Sequence, residues 1–236
     1  MKKALVTGGA KRLGKYISLF LSKNGYDVAI TFNTSTSNVA SMKRQIEANG
    51  AAFASYKINL ESYKEIEKLF KNYKHEWKEI DLLVNNAGVF PKSDIKSVTA
   101  KEWDNAFAVN LKSVFFLTQK FSSIMNNGGN VINISSIGGF EVWDQRILYN
   151  TSKAAQIALT RSLARDLAPK IRVNSIAPGT IEMEDENNLT EILSKSKIPL
   201  KRHGTPDDIF ETIKFIINNK FLTGVTIPVE GGKLLT

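Results

Sequence analysis

A tyrosine and a lysine lie four residues apart in a stretch whose apolar residues recur at helical spacing. On a helix, Tyr149 and Lys153 therefore share one face. An ammonium group beside a phenol favours the phenolate, so we expect Lys153 to lower the Tyr149 pKa from its usual value of about 10. The pair is a candidate for general acid/base chemistry near neutral pH.

Three polar features accompany this pair. Ser136 ends a predicted strand shortly before Tyr149. Asn110 interrupts a long predicted helix, where an amide is not favoured by propensity. The motif Asn85–Gly88 closes another predicted strand. Open α/β sheets bind ligands at the carboxyl ends of their strands, so we predict that these features belong to one site.

Strands that alternate with helices position these residues. The predicted strands are Lys3–Thr7, Asp27–Thr31, Ala52–Ile58, Asp81–Val84, Asn130–Ile134, Arg172–Ile176 and Val225–Val229. The predicted helices are Gly14–Asn24, Asn38–Asn49, Ser62–Tyr73, Lys101–Met125, Tyr149–Leu167 and Pro206–Asn218. This alternation predicts βαβ units in an α/β fold with a parallel sheet, and the continuous apolar strands indicate that helices cover both of its faces.

The first strand runs into a glycine-rich turn that suits a phosphate. Such a turn lets the phosphate approach the backbone, and the following helix supplies free N–H groups. The candidate residues are Gly8, Lys11, Arg12, Leu13 and Gly14. The alternative for the two cations is that they are solvated loop charges.

The end of the second predicted strand indicates which dinucleotide the turn would hold. An NAD site normally has Asp or Glu there to bind the ribose 2′-hydroxyl, and this chain has none. Asn33, Thr34 and Ser35, together with the nearby Lys11 and Arg12, suit a 2′-phosphate instead. We therefore predict NADP(H) rather than NAD(H) as the cofactor.

Composition excludes several classes of function. The 236 residues contain no cysteine and two histidines, so a disulfide scaffold, a thiolate zinc site and a cysteine nucleophile are excluded, and no metal site is expected. The net charge of +9 is scattered, which disfavours a nucleic-acid partner. No apolar run approaches the roughly 20 residues of a membrane span, and no signal peptide is visible, so we expect a cytoplasmic protein without a membrane partner.

In their order along the chain, these motifs resemble the short-chain dehydrogenase/reductase family. The Thr-Gly turn, Asn-Asn-Ala-Gly, a helical Asn, Ser, Tyr-x-x-x-Lys and Pro-Gly all occur, and the resemblance covers essentially residues 1–236. It implies one Rossmann-type domain with a doubly wound, seven-stranded parallel sheet. It also implies a homotetramer, or failing that a dimer, assembled through the helices Lys101–Met125 and Tyr149–Leu167.

The resemblance further implies a role for each matching residue. Tyr149 would protonate a carbonyl oxygen that Ser136 also binds, and Lys153 would hold the nicotinamide ribose. The Asn110 region would keep a water that passes protons to Lys153. Further cofactor contacts are implied for Asn86, Ala87 and Gly88 beside the ribose, Asn59 and Leu60 beside the adenine, and Pro178, Gly179 and Ile181 beside the carboxamide. The family usually has glycine where this chain has Arg12.

Two substrate classes remain open. The whole constellation resembles 3-oxoacyl-[acyl-carrier-protein] reductases, which implies a ketone that is either a small molecule or linked to an acyl carrier. The first turn and Phe90 resemble pteridine reductases, which stack an aromatic ring on the pterin, although Ser136 stands where these often have Asp. Phe90, Trp143 and Leu148 are expected to line the substrate side; the alternative is that they plug the pocket mouth or pack in the core.

Two further expectations concern the whole protein. Residues 180–198 break the regular pattern and are expected to form either a lid over the site or a surface loop. A non-enzymatic, cofactor-sensing role is a third possibility for the function. The presence of both Tyr149 and Lys153 disfavours it, because chains of that kind typically lose one of them.

Overall fold

Seven parallel strands form one sheet in a computed structural model that describes residues 1–34, 38–183 and 194–236. The strands are β1 (Lys2–Val6), β2 (Tyr26–Phe32), β3 (Phe53–Lys57), β4 (Ile80–Asn85), β5 (Met125–Ile134), β6 (Ile171–Pro178) and β7 (Thr226–Val229). Their order across the sheet is β3-β2-β1-β4-β5-β6-β7. The predicted fold class is confirmed.

Helices cover both faces of the sheet. They are α1 (Arg12–Lys23), α2 (Val39–Ala48), α3 (Tyr63–Trp77), α4 (Ala100–Phe107), α5 (Ser113–Ser122), α6 (Ile147–Leu167) and α7 (Pro206–Asn218). Helices α1, α2 and α7 pack on one face, and α3, α5 and α6 on the other. None of the helices in the described ranges is both long and apolar enough to span a bilayer.

The apolar strands follow from this double cover. Along β1, Ala4 and Val6 belong to the core on one face of the sheet, while Leu5 belongs to the core on the other. Successive side chains of a strand point to opposite faces, so a strand covered on both sides is apolar along most of its length.

The largest difference between the predicted and the observed elements lies between α4 and α5. The sequence pattern predicts one helix over Lys101–Met125, but a wide π-helical turn at Ala108–Lys112 separates two helices, and β5 already begins at Met125. Asn110 lies within this turn. A π-helical turn is a local departure from the helical period, so an apolar pattern does not reveal it.

The strand order places a crevice at the centre of the sheet. From β1 the chain moves outward through β2 to β3, then crosses back to add β4 on the other side of β1. The connections that leave β1 and β4 therefore diverge at the carboxyl ends of these strands, which opens the crevice in which such sheets bind ligands.

Arg172 ties β6 to the end of α7. Its Nη1 donates to the carbonyl oxygens of Ile216 and Leu222, each at 2.9 Å, and its Nη2 donates to that of Ile217 at 3.2 Å. Carbonyls in the last turn of a helix lack partners within the helix, and the guanidinium satisfies them here.

We expect Arg172→Leu to lower the free energy of unfolding by about 2–3 kcal/mol, because it leaves these carbonyls without a charged donor. Urea denaturation followed by circular dichroism measures the change. Arg165→Leu, on an exposed position of α6, is the matched control and should change stability by less than about 0.5 kcal/mol. Equal stabilities of the two variants would contradict the assigned role of Arg172.

Candidate active site

A cavity of about 570 Å³ opens at the carboxyl ends of the central strands. It brings together residues that the sequence pattern assigned to cofactor, catalysis and substrate. Those that line it are Gly8, Lys11, Arg12, Leu13, Gly14, Asn33, Thr34, Asn59, Leu60, Asn86, Ala87, Gly88, Phe90, Ser136, Trp143, Tyr149, Lys153, Pro178, Gly179 and Ile181.

Three of the assigned residues do not line this cavity. Ser35 lies outside the described residues. The substrate-side prediction for Leu148 is wrong: its side chain is 1% exposed and buried in the interior, and its backbone N–H donates to Ser93 Oγ at 3.1 Å. Asn110 is fully buried behind the cavity wall, where it acts on the backbone of a neighbouring loop.

The first turn is built so closely that side chains would not fit in it. A Cβ atom on Gly14 would lie 2.3 Å from the carbonyl oxygen of Gly8, whose φ is +62°. Asn86 Nδ2 donates to the carbonyl oxygen of Thr7 at 2.9 Å, and Thr7 Oγ1 accepts from the backbone of Asn86 at 3.0 Å. The ends of β1 and β4 are thereby held together under an open cradle of backbone, which suits a pyrophosphate.

Among the described residues, the cavity wall next to the end of β2 has no acidic group where an NAD site would need one. Asn33 and Thr34 follow the strand and line the cavity, as do Lys11 and Arg12 of the first turn. Arg12 has φ of 51°, in the left-handed region. An amide, a hydroxyl and two cations fit the 2′-phosphate of NADP(H).

Tyr149 and Ser136 meet at the other end of the cavity. The Ser136 hydroxyl interacts with the Tyr149 phenol and accepts from the backbone N–H of Gly138 at 3.1 Å. Burial raises the pKa of Tyr149, and the interaction with Ser136 offsets only part of this effect. The expectation that Lys153 lowers the Tyr149 pKa is therefore not met in this structure.

Lys153 is buried beside this phenol. Lys153 is 3% exposed, and its Nζ lies 5.9 Å from the centre of the Tyr149 ring. Burial lowers the Lys153 pKa to about 7, so that near neutral pH the side chain is only partly charged. Its Nζ donates to the carbonyl oxygen of Ile134, in β5, at 2.8 Å.

Asn110 fixes the loop that follows β4. Its Oδ1 accepts from Val89 N–H at 2.8 Å, while its Nδ2 donates to the Val89 carbonyl oxygen and to Ser152 Oγ, each at 3.0 Å. The π-helical turn places this amide between the loop and α6. Asn110 thus positions Gly88 and Val89 against the helix that carries Tyr149 and Lys153.

Aromatic side chains form the substrate-side wall. The Phe90 ring lies perpendicular to that of Tyr149 with their centres 4.5 Å apart, and Trp143 stacks on Tyr149 at 5.9 Å. The Arg146 guanidinium covers the Phe90 ring at 4.1 Å. The result is an apolar wall beside the phenol, with a cation at its edge.

Part of the expected lid is described. Ile181 forms an isolated β-bridge with Gly204, and an ion pair of 3.1 Å between Glu182 and Lys195 joins the two described flanks of the segment. Residues 184–193 of the expected lid lie outside the described residues. Closure over the cavity stays a prediction.

Comparison with known proteins agrees with this geometry. A family model described as enoyl-(acyl carrier protein) reductase matches residues 8–233. The 3-oxoacyl-[acyl-carrier-protein] reductase FabG of Staphylococcus epidermidis is 35% identical over 239 residues, which cover 98% of each chain. This chain belongs to the short-chain dehydrogenase/reductase family.

Solved structures show how closely the fold follows this family. A short-chain dehydrogenase/reductase from Serratia marcescens superposes with a TM-score of 0.93 at 28% identity, over 99% of this chain and 98% of the other. A short-chain dehydrogenase from Burkholderia cenocepacia, solved in complex with NADP, gives a TM-score of 0.92 at 28% identity, over 98% and 97% of the two chains.

Some residues of this site were not predicted from the sequence. Gln156 accepts a hydrogen bond from Lys153, and its position three residues further along α6 is the signal that would have found it. Arg146 has no comparable signal, because a long-range contact with Phe90 defines it. The cavity is also lined by Ala10, Thr31, Phe32, Ile58, Glu61, Val89, Val109, Ile134, Ser135, Thr180 and Met183.

We expect Asn110→Ala to lower the free energy of unfolding by roughly 2–4 kcal/mol, because it leaves both backbone polar groups of Val89 without their buried partner. Urea denaturation measures the loss. Asn127→Ala, on an exposed position, is the control and should be nearly neutral. A neutral Asn110→Ala variant would show that the loop after β4 does not depend on this amide.

Proposed function

We propose that the protein is an NADPH-dependent reductase that acts on the ketone of a 3-oxoacyl thioester. The observation that carries the proposal is the pair of interacting side chains Ser136 and Tyr149 in a cavity that the glycine turn also lines. A bound NADPH would supply the hydride, with its pyrophosphate on the turn from Gly8 to Gly14. The FabG relative supports the substrate class, and the NADP-bound neighbour supports the cofactor.

The raised pKa of Tyr149 suits the reducing direction. A phenol whose pKa lies above its ordinary value keeps its proton at neutral pH, so Tyr149 is ready to donate it. Ser136 orients a substrate carbonyl toward this proton and stabilises the negative charge that develops on its oxygen. As a hydride reaches the carbonyl carbon, the phenol proton moves to the oxygen and leaves a phenolate at Tyr149.

Lys153 completes the proton path. Its Nζ lies close enough to Tyr149 to stabilise the phenolate once that forms, and its own lowered pKa allows it to give up a proton. Lys153 is also the residue that would hold the nicotinamide ribose. The Asn110 region lies next to this lysine, since a Cβ atom on Gly88 would meet Asn110 Oδ1 at 3.3 Å and Lys153 Nζ at 3.6 Å.

The FabG relative also supports a carrier protein as the partner that delivers the substrate. A carrier protein that delivers an acyl thioester would meet a chain with a net charge of +9, which favours an acidic partner.

A pteridine reductase is the second candidate. Its supporting observation is Phe90, which lies in the cavity within 4.5 Å of the Tyr149 ring and offers an aromatic surface to a flat heterocycle.

NADPH absorbance distinguishes the candidates. We expect rapid oxidation of NADPH with an acetoacetyl thioester and none with dihydrobiopterin at the same concentration. NADH should support the reaction at least about tenfold less well, because it lacks the 2′-phosphate that cations beside β2 would bind. Oxidation with the pterin alone would replace the first proposal with the second.

Tyr149→Phe tests the proposed acid, because it removes the hydroxyl and keeps the ring. Turnover should fall by about two to four orders of magnitude while NADPH binding, measured by its fluorescence, persists. A variant that keeps full turnover would exclude Tyr149 as the acid. If the wild-type protein binds NADPH but oxidises it with neither substrate, the ketone assignment fails, and cofactor sensing becomes the better hypothesis.

We also propose that the chain assembles as a homotetramer. Trp103 and Phe115 on α4 and α5 are 45% and 37% exposed, and Trp103 stacks on Phe107 at 4.5 Å. A groove lined by Phe107, Leu111, Phe115, Phe116 and Leu159 runs along this face. Apolar surface of this kind favours burial against a second copy.

Light scattering at micromolar concentration measures the assembly. We expect the mass of four chains, with two chains as the smaller alternative. Phe115→Glu should lower the mass, because it places a charge in the apolar contact. Lys214→Glu, which changes a charge on α7 away from this groove, is the control. A monomeric wild-type protein would contradict the proposal.

A further inference from the structure

Gln156 is a fully buried amide that contacts the functional lysine and that the proposed reaction does not use. It lies on α6, on the same face as Tyr149 and Lys153, and its side chain is 0% exposed. Its Oε1 accepts from Lys153 Nζ at 3.1 Å. Its Nε2 has no hydrogen-bond partner among the residues that the structure describes. A buried donor without a partner is costly and calls for an explanation.

The hydrogen-bond demand of Lys153 supplies one. An ammonium group has three donors, and two of these go to the carbonyl oxygen of Ile134 and to Gln156 Oε1. Because these acceptors hold Nζ on the interior side, one N–H remains for the cavity that Lys153 lines. Once Lys153 loses a proton, it becomes an amine with a lone pair and needs a donor instead.

A carboxamide can meet both needs. Rotation of the amide by 180° exchanges its oxygen and nitrogen, so that the same side chain accepts from the ammonium or donates to the amine. We propose that Gln156 is a positioning residue that partners Lys153 in both of its protonation states, through Oε1 for the ammonium and Nε2 for the neutral amine. Lys153 can then exchange a proton inside the protein without losing its place.

The surroundings of Lys153 leave this role to Gln156. Tyr149, on the same helix, is the titratable group in contact with it. From β5 the contact is the Ile134 carbonyl, and from the π-helical turn the neighbour is the neutral amide of Asn110. Burial is the cause of the lowered Lys153 pKa, with no charged group among the described residues contributing to it. Gln156 is therefore the polar side chain that hydrogen-bonds Lys153 Nζ in the described structure.

The proton balance is simple. In the proposed reduction, the phenol of Tyr149 gives its proton to the substrate oxygen and becomes a phenolate. The Lys153 ammonium can return a proton to that phenolate and becomes a neutral amine, which then takes a proton from solvent. At each stage Gln156 offers the donor or acceptor that the lysine requires. Only the transfer of this proton to Tyr149 rests on the proposed function.

The Lys153 pKa can be measured without cofactor or substrate. Protein labelled with ¹³C at the lysine ε-carbon is titrated by NMR, and Lys153→Met identifies the resonance. In the wild-type protein this resonance should titrate near pH 7, well apart from the other lysines. Gln156→Glu should raise this pKa by about one unit or more, because a carboxylate favours the ammonium. Gln156→Met should lower it by about one unit, because the ammonium loses a charge-assisted hydrogen bond that is stronger than the one the neutral amine loses.

Thr160→Val is the matched control. The Thr160 hydroxyl lies one turn further along α6, donates to the backbone oxygen of Gln156 and accepts from Asn133, but does not contact Lys153. It should leave the Lys153 pKa unchanged. If the two Gln156 variants shift the pKa in the same direction, or not at all, the proposal is wrong. Both Gln156 variants are measured. If one of them fails to fold, the direction of the pKa shift in the other tests the proposal.

A second readout links the residue to turnover. The pH dependence of NADPH oxidation should move upward in Gln156→Glu and downward in Gln156→Met, with no shift in Thr160→Val. Rates that fall equally at all pH values in both variants would indicate a purely structural role. If the NMR shifts occur as expected but no ketone is reduced, the proposed function fails while the role of Gln156 stands.

Discussion

The Lys153 ammonium is buried where α6 crosses the carboxyl end of β5, and burial there costs free energy unless its donors are satisfied. A backbone carbonyl of β5 and the amide of Gln156 accept from two of its three N–H groups without a countercharge. Burial lowers the Lys153 pKa to about 7, and burial of the Tyr149 phenol raises the Tyr149 pKa. The same desolvation that makes the lysine a proton carrier therefore keeps the tyrosine an acid.

The sheet topology allows this arrangement. With β1 and β4 adjacent at its centre, the glycine turn after β1 and the loop after β4 meet at one edge, and Asn86 joins them. Asn110 then ties the loop after β4 to α6 through Val89 and Ser152. The glycine turn, the loop after β4 and α6 are thus connected by buried and partly buried hydrogen bonds, which rigidify the site.

Local sequence patterns were sufficient for the fold and for most of the site. A strand covered on both faces is mostly apolar, so the seven strands were visible as short apolar runs. The glycine turn, Ser136 and the Tyr-x-x-x-Lys spacing were visible because each depends on residues close together in sequence. The bounds of β5 and the break in the long helix were not, because a register shift and a π-helical turn change no residue type.

Tertiary structure decided the roles that depend on distant neighbours. Leu148 and Trp143 looked alike in sequence, but contact with Ser93 leaves the first in the interior while the second lines the cavity. The direction of the Tyr149 pKa shift was likewise beyond the sequence, because spacing reveals that a lysine is near but not how deeply it is buried. The sequence by itself thus determined the fold class, the family and the reacting groups. Only the folded chain determined how strongly each group holds its proton, since that depends on desolvation by residues far away in sequence.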